Sequence, residues 1–245
     1  MAVEGKRLNK YISDSGFCSR READALINAG RVLLNGKTPE LGTKVIESDS
    51  VSVDGKVIEA VKKDKSDRVY ILYNKPTGIT CTTERKVKDN IIQAVGFKKR
   101  IFPIGRLDKP SQGLILLTSD GDIVNKILRA ENAHEKVYRV TVDRPISDRF
   151  VKKMSSGIPI LGTVTKPCEV KQISQRCFDI TLTQGLNRQI RRMCEFLDYE
   201  VTTLVRKRIM HLTLQGLKLG QWRHLTQDEL AQLNHAVAHS SKTAS

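Results

Sequence analysis

Ten residues, Gly105-Arg106-Leu107-Asp108-Lys109-Pro110-Ser111-Gln112-Gly113-Leu114, constrain the fold of this chain more than any other stretch. Glycines near both ends and a proline between them hold the backbone to a tight path. The apolar run that follows, Leu114-Ile115-Leu116-Leu117, reads as a buried strand. A single carboxylate, Asp108, is therefore placed rather than loose, between Arg106 and Lys109. A loop aspartate ordinarily shapes a turn or pairs with a cation. Set in basic surroundings on a stiff loop, it is also a candidate for chemistry, and the rest of the chain has to decide.

The 245 residues carry 42 Lys+Arg against 27 Asp+Glu, a formal net charge of +15. That excess attracts polyanions, and nucleic acid is the expected partner. No run approaches the roughly 20 apolar residues that cross a bilayer, and Met1-Ala2-Val3-Glu4-Gly5-Lys6 lacks a signal-peptide core. Neither a membrane nor secretion is expected. Cys18, Cys81, Cys168, Cys177 and Cys194 are scattered without a C-x-x-C pair, the pattern of reduced thiols and a cytoplasmic location. With no metal-ligand spacing, no G-x-x-x-x-G-K-[ST] loop and no G-x-G-x-x-G, neither a metal nor a cofactor is expected.

Residues 6–60 read as a small helical module. Leu8, Tyr11 and Ile12 fall at helical spacing. Ser19-Arg20-Arg21-Glu22 is a capping box, and the helix it opens turns Ala23, Leu26 and Ile27 inward before stopping at Gly30. Val32-Leu33-Leu34 then runs into Asn35-Gly36, and Val51-Ser52-Val53 into Asp54-Gly55, both hairpin signals. Arg20 and Arg21 occupy a first helical turn, where the macrodipole disfavours cations, so an external phosphate is a natural partner; a solvated basic face is the competing reading. The charged residues 61–67 are expected to be a linker.

Residues 68–238 form the larger domain, and 239–245 a polar tail. Val69–Tyr73, Gly113–Thr118, Val137–Val142 and Phe178–Thr183 read as strands. Between them a helix puts Ile123, Val124, Ile127 and Leu128 on one face. The expected class is α+β with a mixed, largely antiparallel sheet. In Gln184-Gly185-Leu186-Asn187-Arg188-Gln189-Ile190-Arg191-Arg192-Met193-Cys194, Asn187 can cap a helix whose buried face is Ile190, Met193, Cys194 and Leu197. Arg191 borders that stripe, so its stem can be buried while its guanidinium reaches into a cleft. A wet basic face is the plainer reading of these arginines.

The stretches Arg7–Tyr11, Cys18–Ala23 and Gly30–Gly36 resemble an S4 domain, a small α-L-like RNA-binding module. The resemblance implies that Arg7, Lys10, Arg20, Arg21 and Arg31 face RNA backbone. The loop around Asp108, Lys136-Val137-Tyr138 and Gly185–Met193 resemble the RsuA/RluB/RluE/RluF family of pseudouridine synthases, which carry an S4 domain ahead of the catalytic domain. Residues 102–108, 127–132 and 158–165 are most similar to the last-named branch. Membership implies isomerisation of uridine to pseudouridine, started by Asp108 without cofactor or metal. It implies Arg191 as the counter-charge to Asp108, for which a bidentate pair is expected, and Tyr138 as the ring that stacks on uracil and helps remove the C5 proton.

Arg106 is expected to fill the space left by a flipped base or to hold an adjacent phosphate. Arg188 and Arg192 are expected to bind RNA, Leu182 and Ile190 to floor the uracil pocket, and Lys98–Arg100 with Arg206–Arg208 to widen the RNA track. The implied substrate is 23S rRNA in domain V, with a tyrosine tRNA anticodon as a second candidate, acted on by a monomer. The same chemistry at another rRNA site is one alternative. A non-catalytic RNA-binding assembly factor is another, of a different class.

Overall fold

The computed structural model describes residues 5–59, 66–84 and 86–240. The chain forms two compact units, one running from the N-terminus to Arg68 with residues 98–100 and 119–121, the other comprising the remainder from Val69. Residues 61–65 of the expected linker and 241–245 of the expected tail lie outside the described residues.

The first unit holds β1 (Lys6–Arg7), α1 (Leu8–Asp14), α2 (Arg20–Asn28), β2 (Val32–Leu34), β3 (Lys44–Val45), β4 (Val51–Val53) and β5 (Lys56–Val57). Local signals set its ends. The Ser19 hydroxyl accepts the Glu22 N–H at 3.2 Å, while the Glu22 carboxylate accepts the Ser19 N–H at 2.7 Å. At the far end Gly30 takes φ +68°, and the N–H groups of Arg31 and Gly30 donate to Leu26 and Ile27. Leu8, Ile12, Ala23 and Ile27 pack on Val32, Val45, Val51 and Val53 in one small core. Asp54 and Gly55 turn β4 into β5 through two left-handed residues. Asn35 and Gly36 make the same turn, but only a single bridge follows it, because β2 pairs with β4 instead.

The second unit runs β6 (Tyr70–Lys75), α3 (Ile91–Val95), β7 (Phe102–Ile104), β8 (Gln112–Thr118), α4 (Gly121–Leu128), β9 (Lys136–Val142), α5 (Asp148–Ser156), β10 (Pro159–Ile160), β11 (Thr163–Val164), β12 (Glu169–Ser174), β13 (Cys177–Leu182), α6 (Gln189–Phe196), β14 (Val201–Ile209), β15 (Leu212–Thr213), β16 (Trp222–His224) and α7 (Gln227–Ala236). Its main sheet has the order β12-β13-β9-β14-β8-β6-β16. Pairing is antiparallel except where β14 meets β8 in parallel. Arg206 of β14 lies opposite Tyr138 of β9 on one side and Gly113 of β8 on the other.

Strands β6 and β8 are covered on both faces, which is why they read as unbroken apolar runs. Leu72, Leu114 and Leu116 pack with Ile123, Ile127 and Leu233 on one face. Ile71, Tyr73, Ile115 and Leu117 pack with Ile91 and Leu107 on the other. Around β9 and β13 a further core joins Val140, Phe178 and Ile180 to Phe150, Ile190 and Met193. Leu128, expected on the inner face of α4, is 37 % exposed because the helix ends there.

Candidate active site

The loop carrying Asp108 is fixed by backbone bonds at several points. The Ser111 N–H closes on the Asp108 carbonyl at 2.9 Å, and the Gly78 N–H donates to the Lys109 carbonyl at 2.8 Å. Leu107 is buried in the core, and its N–H meets the Cys81 sulfur at 3.4 Å. Gly113 takes φ +111°, where β8 crosses β14 so closely that a Cβ would collide with the Arg206 backbone. The Asp108 side chain keeps 34 % of its surface exposed, so a substrate can reach it.

Among the described residues the ion pair at Asp108 is with Arg188, whose Nη1 lies 3.8 Å from Oδ2. The expected bidentate pair with Arg191 is not formed. Arg191 is 9 % exposed, and it donates to the Val201 carbonyl at 3.1 Å and the Ser111 hydroxyl at 3.2 Å, while its Nε has no partner among the described residues. Position on the inner edge of α6 explains this, since a buried carbonyl and a buried hydroxyl take the donors first. Burial, then the Arg188 charge, lower the Arg191 pKa, and Asp108 pulls it back up, so the two groups still feel each other.

Arg188 faces Asp108 through a feature that spacing alone did not show. The residue at the N-cap of α6 is Arg188, in the left-handed region at φ 49°, not Asn187. Asn187 instead receives Arg192, through its carbonyl at 3.1 Å and its side-chain oxygen at 3.4 Å. The Leu186 N–H is taken by the Gln189 side chain at 3.0 Å.

Tyr138 is half-buried and packs on two apolar clusters, one holding Leu107, the other Leu182 and Ile190. Leu182 and Ile190 are each 4 % exposed. The Arg206 guanidinium stands 5.9 Å from the Tyr138 ring centroid. Expected on the RNA track, Arg206 is in fact 3 % exposed. Its Nε donates to the Leu114 carbonyl at 2.7 Å and Nη1 to the Arg106 carbonyl at 3.4 Å, while Nη2 is buried without a partner among the described residues. Parity with the inward-facing Leu204, two residues earlier, was the available signal. Lys75, which no motif marks, is fully buried; its ammonium donates to the Pro76 and Ile79 carbonyls at 2.9 Å, and burial pushes its pKa below the ordinary lysine value.

Arg106 and Arg188 are exposed, as are Arg7, Arg20 and Arg21 in the first unit, while Arg192 and Lys10 are half-buried. Arg31 is also exposed, and Asp54 holds its guanidinium in a two-point pair at 2.8 and 2.6 Å.

An accessible carboxylate beside a guanidinium, with a half-buried tyrosine on β9, can open a glycosidic bond and hold the freed base. Residues 69–196 match the RNA pseudouridylate synthase family and residues 6–45 the S4 domain. The chain belongs to that synthase family: it is an RNA pseudouridine synthase with an S4 domain ahead of the catalytic one. It is 58 % identical, over 97 % of its length and 82 % of the relative's, to the dual-specificity RNA pseudouridine synthase RluF of Salmonella typhi. The ribosomal large subunit pseudouridine synthase B of Bacillus subtilis (strain 168) is 36 % identical, over 98 % of this chain and 99 % of its own. A solved pseudouridylate synthase structure superposes with a TM-score of 0.66 at 26 % identity, covering 93 % of this chain and 99 % of that one.

Proposed function

We propose that Asp108 is the group that starts the isomerisation, in a uridine of 23S rRNA domain V and, as a second substrate, in the tyrosine tRNA anticodon. The observation that carries the catalytic assignment is the Asp108 side chain, open to solvent on a loop tied down on both flanks, with Arg188 at 3.8 Å. The substrate reading is supported by the identity to relatives described as dual-specificity RNA enzymes.

The reaction breaks C1′–N1, turns the uracil and joins its C5 to C1′, with the C5 proton lost to solvent and N1 taking one up, so that atoms and electrons are unchanged overall. Asp108 does this either by attacking C1′, giving a sugar ester, or by taking the 2′ proton, giving a glycal. In both routes the departing uracil carries negative charge, which Arg188 and Arg191 stabilise from the Asp108 side. The Tyr138 ring holds the detached base, and Leu182 with Ile190 backs the ring. The target nucleotide is flipped from its helix at a cost of a few kcal/mol, with Arg106 at the mouth of the site. The protein acts in the cytoplasm, as a monomer.

The test is Asp108→Asn, followed by release of tritium from C5-labelled uridine in rRNA and tRNA transcripts. Turnover is expected to vanish while RNA affinity stays within a few-fold. Normal turnover would remove Asp108 from the mechanism. Mapping pseudouridine in rRNA and tRNA with and without the protein tests the substrates, and modification confined to other sites overturns them.

A further inference from the structure

We propose that Phe97, Trp222 and His224 form a stacking site for an unpaired base of the RNA substrate, outside the pocket that takes the target uridine. It rests on RNA being the substrate and not on the roles given to Asp108, Tyr138 or Arg191.

The three rings form one cluster. Phe97 meets Trp222 at 5.5 Å and 87°, Trp222 meets His224 at 5.6 Å and 89°, and Phe97 meets His224 at 5.7 Å and 75°. Edge-to-face contacts of this kind leave part of each ring face uncovered. Trp222, the chain's single tryptophan, is 36 % exposed on edge strand β16, and His224 is exposed beside it. Phe97 is half-buried and anchors the pair to the core.

Register shows which side of the sheet they occupy. Trp222 lies opposite Tyr73 and His224 opposite Ile71, and directly paired residues share a face. Tyr73 and Ile71 belong to the cluster that contains Leu107 and supports Tyr138. The rings therefore sit on the face of the sheet that carries the Asp108 neighbourhood. Four strand spacings separate β16 from β9, roughly 20 Å at about 4.8 Å each. That distance is too great for the target base itself and suits a base some nucleotides away on the same RNA.

A partner with flat faces and negative charge fits best. The protein carries a net charge of +15, and Lys98 and Lys99 follow Phe97 directly in sequence. Every base has a face that stacks on an aromatic ring, and in a duplex that face is already taken. An unpaired base is accordingly the expected occupant.

Trp222 reports on its own site. Titration with a single-stranded RNA oligonucleotide is expected to quench its fluorescence saturably, and a fully paired duplex of the same composition to quench it far less. Trp222→Ala should weaken single-strand binding by about 5- to 100-fold, with Trp222→Phe retaining most of the affinity. The slope of log Kd against log salt should not change, because no phosphate contact is lost. His224→Ala, at an exposed position, gives a smaller loss of the same kind and covers the case of a misfolded Trp222→Ala. RNA binding seen by filter retention without any change in fluorescence would overturn the proposal. So would wild-type affinity in both alanine variants, equal quenching by the duplex, or quenching by an acidic protein in place of RNA. Loss of all RNA binding by the wild-type protein would instead count against the RNA substrate itself.

Discussion

Lys136 is 8 % exposed, and its ammonium donates to the His134 carbonyl at 3.0 Å. Burial, and behind it the Arg206 charge, push its pKa from 10.5 down to about 8. Between those two values the unfolded chain binds more protons than the folded one, so stability rises with pH across that window and falls as pH drops through it. At pH 7 the buried charge costs about 3 kcal/mol. Lys136→Met is expected to raise the thermal midpoint at pH 7 and to flatten stability between pH 8 and 10.5; thermal unfolding at successive pH values checks both. An unchanged midpoint at pH 7 would mean the charge is not paying a burial penalty. At the same scale, Asp108 and Tyr138 were recognisable as candidates because their flanking residues form motifs. The assignment of Arg188 rather than Arg191 as the nearer cation was not, because it depends on a left-handed backbone at Arg188 that residue types do not announce.

At the scale of elements, Arg206 ties strand β14 to both halves of the site. It bonds the carbonyls of Arg106 and Leu114, on either side of Asp108, and stands over Tyr138. Arg206→Met would leave a buried carbonyl without its donor, a loss of about 1–3 kcal/mol. It should also lower kcat at least tenfold with little change in KM, because the loop and the tyrosine lose a common support. Steady-state kinetics beside thermal unfolding separates the two effects, and an unchanged kcat in a folded variant contradicts the support role. A second element-level test lies at α7. Arg223 grips Glu229 at 2.6 and 2.7 Å, and Glu229 also accepts the Thr226 N–H at 2.9 Å. Arg223 foremost holds the Glu229 pKa down to about 2 from 4.5. A depressed carboxylate stabilises the fold above pH 4.5, and that contribution is lost as pH falls through about 2. Glu229→Gln should cost about 1–2 kcal/mol at pH 7 and make acid unfolding shallower, which an acid titration followed by circular dichroism would show. The ends of α2 and the Asp54-Gly55 turn were legible because capping and left-handed glycines act within a few residues, whereas the start of α6 at Arg188 was not. The pairing of β2 with β4, and the parallel pairing of β14 with β8, were not, because partners far apart in sequence choose each other only in the packed core.

For the whole molecule, a net charge of +15 and an S4 domain lead to the expectation that phosphate contact supplies much of the RNA affinity. Replacing Arg20 and Arg21 together with alanine should weaken RNA binding and reduce the slope of log Kd on log salt by roughly one to two units, with kcat little changed. Binding measured over a range of salt tests this, and an unaltered slope would show that neither arginine touches phosphate. The chain order itself determined the two-part plan, the α+β class, the stiff loop that carries Asp108 and the family, since each is written in local spacing and composition. Folding alone decided which cations are solvent-facing and which are sealed in. Arg206 and Lys75 read like any other basic residues until the strands around them close, and whether a long side chain is buried is set by every neighbour the chain brings to it, not by the residue itself.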